Sequence, residues 1–385
     1  MTQCRLQLAD SPPDWSTHIA ARLHAFFSRS FARGAPSWIA PLIAYDARET
    51  RCVRGNRFVP ERLIFLSQSM SLLEVPEAID LLRQHGLRPV TEVAPGRHGD
   101  VVAVILGVKP FGPAEAAPYP SLRTVARFGA GYDNVAVDAL WRHRRITVSY
   151  TPDVSTVEVA QFALAMIILT LRGATRDAVG LVAGRPWRYI DRGLGMGEST
   201  VGLLGCGHIG LETARLVAPL AKKTLLWRRT PTPVHLPGVD PSRYETVQDL
   251  NELATRCDGI SVHLALTAQT RGVVGASFFE QVSAAGRSIA LVNTARGGIV
   301  DETALLDALN RGLVRDAAID VWSTEGEEPT EIVRALQHHP SVLPTTHIGA
   351  YTRGVQRRCA MQVATNIVAA VGPDPGARDP GPPLE

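Results

Sequence analysis

The chain has 385 residues, is 45% apolar and 20% charged, and carries a formal net charge of +3. That length exceeds what one core ordinarily serves, so two domains are expected. The small charge argues against a nucleic-acid partner, and no apolar run approaches the roughly 18 residues of a membrane span.

Met1 to Asp10 lacks the charged-then-apolar layout of a signal peptide. Five scattered cysteines (Cys4, Cys52, Cys206, Cys257, Cys359) show no metal-ligand spacing. A reduced, cytoplasmic protein with no metal and no membrane partner is the expectation.

Residues 1–60 read as an extension. Trp15 to Phe31 has an amphipathic helical pattern, and Trp38 to Tyr45 with Glu49 to Phe58 suggests a strand pair. The segment is rich in arginine (Arg22, Arg29, Arg33, Arg48, Arg51, Arg54, Arg57), which fits either packing on the main body or a binding arm.

Regular alternation begins near Arg62. Strands are predicted at Leu63–Leu66, Val101–Leu106, Thr124–Arg127 and Ile146–Tyr150, with helices at Leu73–Gln84 and Val135–Arg142. Gly86 marks a helix end. Such alternation implies a parallel sheet covered on both faces. Thr151-Pro152-Asp153 breaks it, and Val154–Leu171 follows as a long apolar helix suited to a buried connector. Arg172 to Ser199 reads as looser chain.

The next unit is T-V-G-L-L-G-C-G-H-I-G, from Thr200 to Gly210. A buried strand, Val201–Leu204, leads into Gly205, Gly207 and Gly210 with G-x-G-x-x-G spacing. A helix and a second strand, Thr224–Trp227, follow. The first glycine allows a tight turn, the second lets backbone approach a pyrophosphate, and the third lets helix and strand pack closely. The helix start offers free N–H groups to phosphate. His208 reads as a turn residue and His263 as a strand residue. Farther on, helices are predicted at Val247–Thr255, Glu302–Asn310 and Thr352–Val371, with strands at Gly259–His263, Ser288–Asn293, Asp316–Val321 and Val342-Leu343. The last helix is expected to return to the first domain. The Pro/Gly-rich tail from Gly372 is expected to be disordered.

Arg296, Glu325 and His347 each lie just beyond a predicted strand. Ligands of open parallel sheets bind outside the carboxyl ends of the strands, so these three converge on one cleft. Their chemistry is complementary. Hydride delivery to a carbonyl leaves an alkoxide that needs a proton, and imidazole titrates in the right range. A carboxylate beside imidazole favours its charged form, and guanidinium forks onto a carboxylate or polarises a carbonyl. The bland alternatives are a surface arginine in a turn, a member of a solvated acidic run with Glu327 and Glu328, and a strand-end histidine.

Six stretches, in order, carry a family resemblance: R-F-G-A-G-Y-D-N (Arg127–Asn134), G-L-L-G-C-G-H-I-G (Gly202–Gly210), V-H-L-A-L-T-A-Q-T-R-G (Val262–Gly272), V-N-T-A-R-G-G-I-V-D (Val292–Asp301), A-I-D-V-W-S-T-E (Ala318–Glu325) and T-H-I-G-A (Thr346–Ala350). The chain resembles the D-isomer-specific 2-hydroxyacid dehydrogenases from about Arg62 to Val371. The resemblance implies an α/β fold of two doubly wound parallel-sheet domains, a Rossmann cofactor domain (154–348) inserted into a flavodoxin-like substrate domain (61–153 and 349–371), with the extension (1–60) and a tail (372–385) outside them.

It also implies roles. Arg296 would hold the 2-oxo acid, His347 would donate or accept the proton, and Glu325 would pair with His347. Gly205, Gly207, His208, Ile209, Gly210, Thr294, Ala295 and Asp320 would line the cofactor, and backbone N–H groups at Gly107-Val108 and Ala130-Gly131 the substrate carboxylate. A homodimer would form through about Val154–Ser199. Two departures stand out. A glutamate usual in the connector helix is Gln161, and a lysine characteristic of phosphite-oxidising relatives falls at Ala130.

Cofactor choice is read at the end of the second strand. NAD-selective sites carry an acidic residue about 20 positions beyond the glycine loop. Here Trp227 is followed by Arg228-Arg229-Thr230, and a guanidinium grips a 2′-phosphate where a carboxylate would repel it. NADP is therefore expected over NAD, with a water-facing basic strand end as the bland alternative.

The leading expectation is a reductase of small 2-oxo acids. The alternative is a cofactor-sensing binding protein similar to the C-terminal-binding-protein corepressors, suggested by the arginine-rich extension. A formate-oxidising relative is disfavoured, because that branch pairs glutamine with the histidine.

Overall fold

The computed structural model describes residues 61–67, 70–184 and 193–372. The elements expected in the N-terminal extension, and the tail beyond Gly372, lie outside the described residues.

Two parallel sheets organise the chain. The first has five strands in the order β2-β1-β3-β4-β5: β1 Arg62–Ser67, β2 Leu87–Val90, β3 Val101–Leu106, β4 Thr124–Arg127 and β5 Thr147–Ser149. Central β3 is buried at every position, as its unbroken apolar run requires when helices cover both faces. β2 escaped the sequence reading because it carries Arg88 and Pro89, and proline is confined to edge strands such as this one. Helices α1 Pro76–Gln84, α2 Pro113–Ala116 and α3 Val137–Arg144 connect these strands.

Helix α4, Thr156–Arg172, then crosses to the second sheet and ends at Gly173, whose φ of +69° is a left-handed cap. A short helix follows, α5 Ala174–Val182. From sequence this segment reads as loose chain; in the structure it is helical, with Val179, Leu181 and Val182 exposed.

The second sheet has seven strands in the order β12-β11-β10-β9-β6-β7-β8, all parallel: β6 Thr200–Leu204, β7 Lys223–Trp227, β8 Tyr244–Val247, β9 Gly259–Val262, β10 Ile289–Asn293, β11 Val314–Ile319 and β12 Val342–Pro344. Its helices are α6 His208–Val217, α7 Leu250–Arg256, α8 Ala276–Ala284, α9 Glu302–Asn310 and α10 Glu331–His338. The boundary after β8 differs from expectation. Val247 pairs with Trp227 in the sheet, and the helix begins only after Asp249, whose carboxylate accepts the Asn251 N–H at 2.9 Å.

The last helix, α11 Arg353–Val371, returns to the first sheet. Val363, Ala364 and Ile367 share a core cluster with Ile64, Leu82 and Ile105. Thr352 caps its start, its hydroxyl accepting the Val355 N–H at 3.2 Å. Among the described residues no single helix is long and apolar enough to cross a membrane.

Candidate active site

In the seven-stranded sheet the strand order reverses between β6 and β9, and the crevice there is where parallel sheets bind ligands. The glycine loop fills that position. Gly205 has φ +119°, and a Cβ on it would lie 2.5 Å from the His263 carbonyl oxygen. A Cβ on Gly210 would lie 2.1 Å from the Gly205 oxygen, so α6 packs this close only with glycine there. At Gly207, by contrast, a Cβ would meet nothing within 4 Å. The loop is tight beneath and open above, and α6 starts at its rim with its first-turn N–H groups free of helical partners. This cradle fits a dinucleotide pyrophosphate. His208, in the first turn of α6, contacts the Asp153 carboxylate through Nδ1.

The three candidate catalytic residues come from consecutive strands of the same sheet. Arg296 follows β10, Glu325 follows β11 and His347 follows β12. The His347 Nδ1 lies 2.8 Å from Glu325 Oε2, while Glu325 Oε1 accepts the Trp322 N–H at 3.1 Å. Burial works against ionisation of Glu325, but its bond to His347, the His347 charge, the Trp322 N–H and Arg296 outweigh it and hold the carboxyl below its ordinary value.

His347 adopts φ +58°, a left-handed conformation uncommon for a residue with a side chain. Asp320 holds it there. The Asp320 carbonyl accepts the His347 N–H at 2.8 Å. Its carboxylate accepts Thr345 Oγ1 at 2.6 Å, Ile348 N at 2.8 Å and Gly349 N at 2.9 Å. Asp320 therefore braces the histidine loop as well as lining the cleft.

Arg296 is fixed from three sides. Its Nε donates to Asp133 Oδ1 at 2.9 Å and its Nη1 to the Ala295 carbonyl at 2.7 Å. Its Nη2 lies only 1.3 Å from where a Cβ on Gly131 would sit, so the guanidinium presses on bare backbone. Asn293 braces the loop behind it, donating to the Arg296 carbonyl at 3.0 Å and accepting the Ala295 N–H at 3.1 Å.

A cleft of about 1450 Å³ joins these groups. Gly107, Val108, Ala130, Gly131, Gly207, His208, Ile209, Thr294, Ala295, Arg296, Asp320, Glu325 and His347 line it. Gly205 and Gly210 are not on its wall; they shape the loop from below. Arg228 and Arg229 are not on it either, but follow β7. Arg228 Nη1 donates to the Thr232 carbonyl at 2.7 Å, and its Nε is buried without a partner.

Arg127, Asp133, Asp153 and His263 also line the cleft, and the sequence points to no role for them. Arg127 and Asp133 sit inside a motif quoted above, but nothing in a linear motif says what they face. Asp153 belongs to the break before α4; it has φ +62° and meets His208. His263 looked like an ordinary strand residue; it lies just past β9, burial pushes its imidazole down to about 4, and its Nε2 has no partner.

A sequence profile described as "D-isomer specific 2-hydroxyacid dehydrogenase, NAD binding domain" matches residues 164–349. A hydroxypyruvate reductase from Thermotoga maritima is 33% identical over 258 residues, 66% of this chain and 78% of that protein. The chain belongs to the D-isomer-specific 2-hydroxyacid dehydrogenase family.

Two further members widen the comparison. D-3-phosphoglycerate dehydrogenase from Pongo abelii is 35% identical over 250 residues, 65% of this chain and 45% of that protein. The chain thus spans about half the length of such phosphoglycerate dehydrogenases. The solved structure of an NADPH-dependent glyoxylate/hydroxypyruvate reductase from Sinorhizobium meliloti, in complex with NADP and malonate, aligns with a TM-score of 0.66 and 27% identity, over 80% of this chain and 93% of that one. The two all-parallel α/β lobes of this dehydrogenase-family chain agree with that neighbour.

Proposed function

We propose that this protein is an NAD(P)-dependent 2-oxoacid reductase, working reversibly as a D-2-hydroxyacid dehydrogenase. One observation carries the reading. The His347–Glu325 pair and Arg296 stand at the carboxyl ends of three strands of one sheet, in the cleft that also reaches the glycine loop.

His347 Nδ1 faces Glu325, which leaves Nε2 for the substrate oxygen. Glu325 holds the ring across that contact, and Nε2 gives the proton in reduction and takes it in oxidation. Arg296, with Nε and Nη1 already committed, keeps Nη2 for the 2-oxo acid. The backbone at Gly107-Val108 and Ala130-Gly131 would receive the substrate carboxylate. When bound, the nicotinamide cofactor supplies or accepts the hydride. Substrate binding is assigned to residues 61–153 and 349–371, and cofactor binding to 154–348.

NADP is the preferred cofactor in this reading. No acidic residue follows β7; Arg228 does, with a buried Nε that lacks a partner. The S. meliloti neighbour, an NADPH-dependent reductase, lends support. A homodimer is the proposed assembly, formed through α4 and α5. Val157, Ile168, Leu169, Val179, Leu181 and Val182 of these helices are exposed there, at 38–89%. The free thiols of Cys206, Cys257 and Cys359 suit a cytoplasmic setting. The corepressor-like alternative rests on the extension, outside the described residues.

The deciding measurement is kcat/KM with NADPH and with NADH against a panel of 2-oxo acids. Turnover with a clear NADPH preference is expected, weakening as salt rises. No turnover by well-folded protein would overturn the enzyme reading. Equal values or an NADH preference would overturn the NADP reading, and an Arg228→Asp variant that still favoured NADPH would place selectivity elsewhere.

A further inference from the structure

Arg127 ends β4 and lines the cleft, yet the mechanism above leaves it idle. It is only 8% exposed. Among the described residues its side chain makes one hydrogen bond, to the neutral Phe128 carbonyl, and its Nε is buried without a partner. No carboxylate there forms an ion pair with it. A buried cation lacking a counter-ion is costly, and chains retain one where a ligand completes it.

The neighbouring charges are already committed. Asp133 is bonded to Arg296 and Glu325 to His347. Arg127 and Arg296 press on the same loop, Gly129 to Gly131. A Cβ on Gly129 would lie 3.0 Å from Arg127 Nη1, and one on Gly131 would lie 1.3 Å from Arg296 Nη2. Burial and the Arg296 charge push the Arg127 guanidinium down to about 10, which still leaves it cationic at neutral pH. The two carboxylates whose charge acts on Arg127, Asp133 and Glu325, are thus each paired with another group.

We infer that Arg127 is a second anion-binding residue, and that the cleft takes 2-oxo and 2-hydroxy dicarboxylates, with the reacting end at Arg296 and His347 and the second carboxylate at Arg127. The inference rests on the oxidoreductase reading for the reacting end, but not for the binding of the second carboxylate. With Nη1 turned to Phe128, the guanidinium keeps Nη2 and the unpartnered Nε for a planar carboxylate. A phosphate would ask for more donors than one residue offers.

The test uses two acids of the same shape. Oxaloacetate ends in a carboxylate where 4-methyl-2-oxopentanoate ends in two methyl groups. With the full chain, kcat/KM should favour oxaloacetate by about tenfold or more. Arg127→Met should erase that preference through the KM for oxaloacetate, and Arg127→Lys should restore part of it. A loss shared equally by both acids would make Arg127 a structural residue and overturn the inference. A second readout needs neither turnover nor a variant. In calorimetric titration of the wild-type chain with oxidised cofactor present, succinate should bind about tenfold tighter than 4-methylpentanoate. Equal binding, or none of succinate, overturns the inference. If no acid is turned over but succinate still binds preferentially, the oxidoreductase reading fails and the dicarboxylate site stands.

Discussion

In the proposed reaction, the chemistry at the residue scale turns on one proton. His347 is gripped at its backbone by Asp320 and at its ring by Glu325, so little of its freedom remains to be lost on reaction. Removing the ring should therefore cost the proton-transfer step and little else. His347→Ala is expected to lower kcat by roughly 10²–10⁴-fold, with cofactor affinity in direct titration unchanged; a near-normal kcat would remove His347 from the mechanism. Glu325 acts through the same ring. Its carboxylate holds the ring through the Nδ1 contact, so that Nε2 meets the reacting oxygen. Glu325→Gln should lower kcat by about tenfold or more with cofactor affinity unchanged. An unchanged kcat would show that the 2.8 Å pair does not serve the proton transfer.

At the scale of elements, close packing dictates sequence in places where function alone would not. Glycine at 131 and 210 is set by neighbours that a Cβ would strike, Arg296 in one case and the Gly205 carbonyl in the other. The junction of α4 and α5 shows the converse, a polar group where an apolar one would pack. Asp316 in β11 is fully buried under it, with Oδ2 3.9 Å from where a Cβ on Gly173 would sit. Burial raises its carboxyl from 3.8 to about 7, against the opposing pull of Arg176 and Arg315. A carboxyl whose pKa is raised on folding stabilises fully below 3.8, and that contribution is lost as pH climbs to about 7. Asp316→Asn avoids burying the charge. Its thermal midpoint should gain on wild type as pH rises through this window, by several degrees, and level off above it. A gain that did not vary with pH would assign the effect to packing instead.

For the whole molecule, two crossings join the lobes, α4 outward and α11 back, and they are tied where they meet: Arg358 donates to Glu158 Oε1 at 2.6 Å and to the Val154 carbonyl at 2.9 Å. The outer face of α4 and α5 is then left apolar, which the proposed dimer explains. Leu181→Glu places a charge on that face and should weaken dimerisation at least tenfold, read by sedimentation equilibrium. A chain already monomeric, or a variant as dimeric as wild type, would move the interface elsewhere. Periodicity alone determined much of this architecture. A continuous apolar run such as Val101–Leu106, too short for a buried helix, reads as a strand buried on both faces, and G-x-G-x-x-G between a strand and a helix reads as a turn made for close approach. The positions of Arg296, Glu325 and His347 just past strand ends were legible for the same reason, since parallel strands bring their carboxyl ends to one edge. Contacts between groups far apart in sequence were not legible. That Asp133 fixes Arg296, that Asp153 meets His208, and that Arg127 is buried without an ion pair among the described residues depend on how the loops after β4, β5, β6 and β10 face each other across the cleft. Burial and charge pairing at such positions arise only when the sheets have packed, so the tertiary structure alone decided them.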